Sequence, residues 1–329
     1  MILEPLYTAD EMRAAEERYP GYPETAAELM ERAGRALAAE TMRAYPDARR
    51  VVAVCGRGNN GGDGRVAVRV LREAGVEAEE GEDLDGADVV IDALFGTGFR
   101  GVPRPEAARL IERVNEAGVP VVACDVPSGV DASTGEVAGA AVRAALTVTF
   151  HGSKVGLAVA PGRFHAGRVA VADIGLEPSP TEATRATPEV LSLVPRRRAA
   201  DSKYTAGAVL VVGGSPGMSG AAVLAAIAAL RADAGYVTLA VPAASLPVAE
   251  ALAVEPVKAG FAWPSALDDV LALAARAGAV AVGPGLSRTD EARALVRGLL
   301  ERLDVPVVVD ADALHGLAPV ERAAATVLT

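Results

Sequence analysis

Four short stretches concentrate groups able to do chemistry. "VVAVCGRGNNGGDGR" (residues 51–65) carries Asn59, Asn60 and Asp63 in a glycine-rich turn. "DVVIDALFGTGFRG" carries Asp92 ahead of a second glycine turn. "VPVVACDVPSG" carries Asp125 and Ser128, and "ALTVTFHGSKVG" carries Lys154. Each group stands at the end of an apolar run. A carboxyl at a buried strand end gains proton affinity and can serve as a general base, which makes Asp125 the candidate. Asn60, Asp92 and Ser128 offer oxygen ligands, which suit an alkali or alkaline-earth cation and not zinc. The glycines let backbone amides approach a phosphate. Each position also has a plainer reading. Asp63 is either a site residue or the N-cap of a helix starting at Gly64, and Asp92 and Asp125 are either site residues or strand-end caps. Ser128 with Gly129 is also consistent with a turn, and Lys154 with a loop salt bridge. Recurrence at neighbouring strand ends favours a shared site.

Gly56, Gly58 and Gly61 also spell G-x-G-x-x-G, the dinucleotide fingerprint of dehydrogenases. Glu79, Glu80 or Glu82 then has the spacing of a ribose-binding acid. Asp63 would oppose a pyrophosphate on that helix start, and no hydride-acceptor apparatus is evident. A dehydrogenase is therefore the second reading, and a non-catalytic nucleotide-binding scaffold the third.

The elements that must position these groups alternate in type. Strands are expected at "RVVAVC", "DVVIDAL", "VPVVACDV", "ALTVTF" and "RVAVADI", with alanine-rich helices between. "GRVAVRVLREAG" and "RPEAARLIERVNEAG" both end in an Ala-Gly stop. Two helices precede the first strand, with Thr8 and Thr25 as N-caps. Residues 181–200 read as a linker, with Arg196–Arg198 as a solvated charge run. A second series follows: "AVLVVGG", "YVTLAVP", "AVAVGPG" and "VPVVVDADAL". "AAATVLT" then reads as a strand just starting.

The chain of 329 residues allows two domains, 1–180 and 201–329, and its 51% hydrophobic content is ample for two cores. A formal charge of −11 argues against a nucleic-acid partner and an anionic membrane surface. No basic and apolar leader opens the sequence, and "AAVLAAIAAL" is too short to span a bilayer. Cys55 and Cys124 each close an apolar run and read as core thiols, which fits a reducing cytoplasm. The only lysines are Lys154, Lys203 and Lys258; where arginine is the default, a lysine can be there for its compact, titratable ammonium.

"GRGNNGGDG", "DALFGTGFRG", "DVPSGVDASTG" and "TFHGSKVGL", in that order, resemble the NAD(P)H-hydrate epimerase family, over residues 6 to 175. The resemblance implies a Rossmann-like parallel-sheet sandwich. It also implies repair of nicotinamide coenzymes hydrated at C6, by interconversion of the R and S epimers of hydrated NADH and NADPH. Asn59, Asn60, Gly61, Gly62 and Asp63 would contact the hydrated dinucleotide. So would Gly96, Thr97, Gly98, Phe99, Arg100, Gly101, Val102 and Asp125. Asn60, Asp92 and Ser128 would coordinate a potassium ion. Asp125 would shuttle protons, with Lys154 as its electrostatic partner. The family usually has a small apolar residue and proline ahead of this lysine, where "HGS" stands here.

"KYTAGAVLVVGGSPGMSG", "GPGL" and "VVDADAL" resemble the start of the ADP-dependent NAD(P)H-hydrate dehydratase domain, often fused to the epimerase. That resemblance implies a ribokinase-like α/β domain that takes ADP and magnesium and dehydrates the S form. Ala221 and Gly285 match positions lining the hydrated-nucleotide pocket, and Asp310 and Asp312 stand at a strand end, either near the ligand or in a capped turn. The family's later motifs, Pro-His-x-Gly-Glu and a "GSGD"-type loop, are not in the sequence. The domain is therefore expected to be incomplete, without dehydratase activity of its own. A homo-oligomer is expected.

Overall fold

The computed structural model describes residues 2–194, 199–200, 202–203 and 206–329. They fall into two compact units, Met1–Val194 and Pro195–Thr329.

The strands of the first unit are β1 (Leu3–Tyr7), β2 (Arg50–Cys55), β3 (Glu77–Glu80), β4 (Val89–Ala93), β5 (Val121–Cys124), β6 (Leu146–Phe150), β7 (Ser153–Lys154), β8 (Arg168–Ala172) and β9 (Ala183–Ala186). Its helices are α1 (Ala9–Glu17), α2 (Ala26–Ala44), α3 (Asn59–Glu73) and α4 (Pro105–Glu116), with the single turns α5 (Val155–Ala158) and α6 (Arg163–Ala166). The main sheet runs β3-β2-β4-β5-β6-β8, all parallel. Central strands of a parallel sheet are covered on both faces, so they read as unbroken apolar runs; β4, β5 and β6 are buried throughout. Helix α2 buries Leu29, Ala33, Leu37, Ala38 and Thr41 on one stripe, the spacing of an amphipathic helix.

All five strands expected in this half are present. Four others are not apolar runs. β3 buries only Ala78 among three glutamates, as an edge strand can. β7, β1 and β9 form a small separate sheet. There β9 pairs antiparallel with β1, Leu6 opposite Ala183 and Leu3 opposite Ala186. The expected linker thus begins with a strand that folds back on the chain's first strand; Arg196–Arg198 lie outside the described residues. Both Ala-Gly stops hold, with Gly75 and Gly118 at left-handed φ of 87° and 71°. Thr8 caps α1 in a full capping box with Glu11. Thr25 precedes α2 without a side-chain cap, because its hydroxyl donates to Pro20 O instead.

The second unit contains β10 (Ala208–Val212), α7 (Ser219–Arg231), β11 (Tyr236–Pro242), α8 (Leu246–Leu252), β12 (Val257–Phe261), α9 (Ala266–Ala274), β13 (Ala279–Val282), α10 (Asp290–Arg302), β14 (Val307–Val309) and β15 (Thr326–Leu328). They build a second parallel sheet, β12-β11-β10-β13-β14-β15. β15 is the strand expected at "AAATVLT". β12 was not expected, since Lys258 and Gly260 interrupt its apolar pattern. The chain is thus an α/β protein with one six-stranded parallel sheet in each unit, and the small mixed sheet β7-β1-β9 in the first.

Candidate functional site

In an open parallel sheet, ligands bind beyond the carboxyl ends of the strands, where the strand order reverses. In the first unit the chain leaves β2 for β3 on one side and returns to β4 on the other. The loops after β2 and β4 flank that switch point. Gly56–Asn59 and Leu94–Arg100 from these loops line a cavity of about 1440 Å³, with Asn60, Asp63, Asp125 and Lys154 at its wall. The glycine motif therefore lies at the place the topology assigns to a ligand.

Helix α3 begins at Asn59, with Gly58 as its N-cap. The expectation of a helix starting at Gly64 with Asp63 as N-cap is corrected. Asn59 and Asn60 themselves form the first helical turn, and Asp63 is the fifth residue, 9% exposed. Gly61 and Gly62, expected to touch the ligand, are not among the wall residues. A Cβ on Gly61 would stand 1.9 Å from Gly56 O, so glycine is what closes the turn. Gly61→Ala is expected to cost about 3 kcal/mol, read from the urea midpoint. Gly101 and Val102 likewise lie outside the wall, and Val102 is exposed.

β5 and β6 end in matching turns. Val126 N donates to Cys124 O (2.8 Å) around Asp125, with φ 67°; Gly152 N donates to Phe150 O (2.7 Å) around His151, with φ 65°. Such three-residue turns with positive φ at the centre are rare and strained, by about 1–3 kcal/mol each. Here they bring Asp125 and the β7 lysine together. Lys154 Nζ stands 2.7 Å from Asp125 Oδ1 with its side chain fully buried. It also donates to Thr149 Oγ1 (2.8 Å), Phe150 O (2.8 Å) and Gly152 O (3.2 Å). Thr149 Oγ1 donates to Asp125 Oδ1 (3.0 Å). The loop salt bridge read for Lys154 is real, but it is a buried one at the cavity wall.

Beneath the wall lies an oxygen-rich nest. Ser128 donates to Asp92 through its backbone N (2.8 Å) and its Oγ (2.6 Å). Ser128 Oγ accepts from Phe95 N (2.9 Å), and Asn60 Nδ2 donates to Phe95 O (2.9 Å). That bond fixes the amide orientation and leaves Asn60 Oδ1 buried without a partner. Burial pushes the Asp92 carboxyl up to about 6, against hydrogen bonds from Ser128 and Leu94 that pull it down. The orphaned carbonyl oxygen and the nearby carboxylate and hydroxyl oxygens are of the hard type that alkali and alkaline-earth cations take. Asn60, Asp92 and Ser128, grouped from sequence, are brought together.

Several wall residues had no place in the sequence reading. Glu16 reaches the cavity from α1, beyond the β1–β7 pairing that sets Tyr7 beside Lys154. It follows Met12 by four residues, so an acid on the apolar stripe was its signal. Thr149 is a polar residue inside an apolar buried strand, a signal of the same kind. Of the carboxyls lining the cavity, Glu16, Asp63 and Asp125 are the ones withdrawn from solvent, beside one buried ammonium, while Glu82 and Glu106 are exposed. Burial, then Asp125 and Glu16, push the Asp63 carboxyl up to about 8. Burial and Asp125 also raise Glu16, while Lys154 pulls it down. Asp63 is thus mostly uncharged near neutral pH, which removes the repulsion of a phosphate assigned to it from sequence. Of the acids offered for a ribose, Glu79 and Glu80 are paired with Arg50 and Arg65, while Glu82 is exposed at the cavity wall, 3.7 Å from Arg113. Cys55 is pushed up to about 12 by burial, and Cys124 upward for the same reason, as fits core thiols.

In the second unit the strand order reverses between β10 and β13. The loops after these strands touch: Gly214 N donates to Pro284 O (3.0 Å) and Ser215 N to Gly285 O (2.7 Å). Ala221 N donates to Met218 O (3.3 Å), and a Cβ on Gly285 would lie 2.4 Å from that same oxygen. Ala221 and Gly285 therefore meet around Met218. Asp310 caps a short turn, and Asp312 accepts from Ser287 N (3.0 Å) and pairs with Arg288.

The family described as YjeF-related protein N-terminus matches residues 26–80 and 74–156, and the NAD(P)H-hydrate dehydratase family matches 209–329. This second match extends through the second unit, so the expectation of a domain without dehydratase activity finds no support. Among curated proteins, the bifunctional NAD(P)H-hydrate repair enzyme of Moorella thermoacetica is 39% identical, over 88% of this chain and 65% of that protein. Those of Pyrobaculum aerophilum and Mycobacterium tuberculosis are each 38% identical and covered to 69%. The chain spans about two thirds of the length of these relatives. Among solved structures, ADP/ATP-dependent NAD(P)H-hydrate dehydratase from Bacillus subtilis, co-crystallised with ATP and Mg²⁺, is 29% identical over 43% of this chain and 50% of that one, with a TM-score of 0.37. With its epimerase-like and dehydratase-like halves in one polypeptide, the chain belongs to the family of bifunctional NAD(P)H-hydrate repair enzymes.

Proposed function

We propose that the first unit, a Rossmann-like domain, interconverts the R and S epimers of hydrated NADH and NADPH. The observation that carries this is the Asp125–Lys154 pair at the wall of a cavity large enough for a dinucleotide. Asp125 takes the proton from the C6 hydroxyl and returns it after the stereocentre has been lost. Lys154 orients the carboxylate and holds its charge. The amides of the β2–α3 turn and the Gly96–Arg100 loop bind the phosphates and the rest of the dinucleotide. This makes the dinucleotide the substrate and replaces the hydride-transfer reading of the glycine fingerprint.

We assign Asn60, Asp92 and Ser128 to a potassium ion. When bound, it supplies fixed positive charge under the phosphate-binding loops. The orphaned Asn60 Oδ1 supports the assignment. Asn60→Ala is expected to raise the potassium concentration for half-maximal epimerisation by about tenfold, the loss of roughly 1.4 kcal/mol. Following the R/S ratio by chromatography in potassium and in choline checks this. Equal rates in the two salts would refute the ion.

We further propose that the second unit, a ribokinase-like domain, serves ADP-dependent dehydration of the S form with magnesium. Gly213–Met218 and Gly283–Ser287, at the strand reversal, are its nucleotide loops.

A further inference from the structure

Asp63 is the buried acid that this reaction has not used. It is nine-tenths buried, lies at the cavity wall, and has no hydrogen bond or ion pair among the described residues. An unpartnered carboxyl in such a place is costly to charge, and it lines the cavity where a substrate would sit. The groups around it are Glu16 on α1 and Asp125 and Cys124 at the end of β5, with Lys154 behind Asp125. The single ammonium serves Asp125, which marks Asp125 as the carboxylate and leaves Asp63 without a cation. Two carboxyls in one cavity with environments this different can divide acid from base.

We propose that Asp63 is a second catalytic residue, the general acid that protonates the ring nitrogen N1 while Asp125 deprotonates the C6 hydroxyl. This rests on the epimerase reading. Asp125 takes the hydroxyl proton and the oxygen's electron pair forms the C6 carbonyl. The C6–N1 bond breaks with its pair going to N1, which takes the proton of Asp63. The open-chain aldehyde rotates about C5–C6. N1 then attacks the other face of C6, returning its proton to Asp63, and the oxygen takes its proton back from Asp125. No atom is gained or lost, both carboxyls end as they began, and the open-chain intermediate carries no new charge on its ring atoms, which suits a partly desolvated cavity. Burial and its two acidic neighbours push Asp63 up to about 8, so the proton is present at neutral pH.

The test uses the full chain and hydrated NADPH. Asp63→Asn is expected to lower kcat by about 10²–10⁴-fold, with KM within about threefold of wild type. Asp63→Glu is expected to recover part of the rate. A merely structural role would raise KM or lower the melting temperature while leaving kcat unchanged. Wild-type kcat/KM is expected to fall as pH rises through about 8. Because the folded carboxyl titrates above its unfolded value, Asp63 favours folding at low pH and loses that contribution as pH rises to about 8. Asp63→Asn should then melt above wild type at pH 9, with the gap closing towards pH 4. An Asn variant with unchanged kcat overturns the proposal. So does a wild-type profile flat to pH 10, which decides the matter should the variant not fold. A wild type that interconverts nothing overturns the epimerase reading and this one with it; an active wild type beside an unimpaired Asn variant overturns this one alone.

Discussion

Asp125→Asn is expected to lower kcat for epimer interconversion by about 10²–10⁴-fold while the chain still folds. The amide keeps the shape of the carboxylate but cannot take a proton at working pH. The fold should survive because Lys154 keeps three oxygen partners, Thr149 Oγ1, Phe150 O and Gly152 O. Removing one member of a buried ion pair commonly costs about 3–5 kcal/mol, chiefly by stranding the other charge. Here the ammonium is not stranded, so the loss should stay below about 3 kcal/mol. Initial rates on hydrated NADPH and urea denaturation measure the two quantities separately. A variant with undiminished rate would remove Asp125 from the mechanism.

Lys154→Met should do more damage to the fold. The side chain is fully buried, and methionine replaces its length without its charge. Asp125 would lose its cation while Glu16 and Asp63 remain beside it. Phe150 O and Gly152 O would lose their ammonium donor. An unpaired buried charge and stranded acceptors together imply a loss of about 3–5 kcal/mol, with a fall in rate of the same order as for Asp125→Asn. Lys154→Arg should rescue neither, since a planar fork cannot replace a compact ammonium among these oxygens. An unfolding free energy from urea denaturation within about 1 kcal/mol of wild type would contradict this.

Both effects arise from residues that the sequence had already placed at strand ends. The parallel strands were legible because burial on both faces writes them as unbroken apolar runs. Asp92, Asp125 and Lys154 follow such runs, so the rule that ligands lie beyond strand ends was enough to group them. The start of α3 was misplaced because two asparagines and two glycines are weak helix formers; close packing against Gly56 and Met30 puts them in the first turns regardless. β3, β7 and β9 were missed because edge and two-residue strands carry no apolar signature. Glu16 comes from an element distant in sequence, placed by the β1–β7 pairing, which local pattern does not reveal. The burial of Asp63 was equally hidden, and it changes that residue from a charge repelling phosphate into a neutral acid at neutral pH.

The most direct measurement starts from one purified epimer of hydrated NADPH and follows the other by chromatography. With the full chain and potassium present, approach to the equilibrium R/S mixture is expected well above the uncatalysed rate, falling by about 10²–10⁴-fold with Asp125→Asn. Wild-type protein that leaves the single epimer to drift at the uncatalysed rate would contradict it.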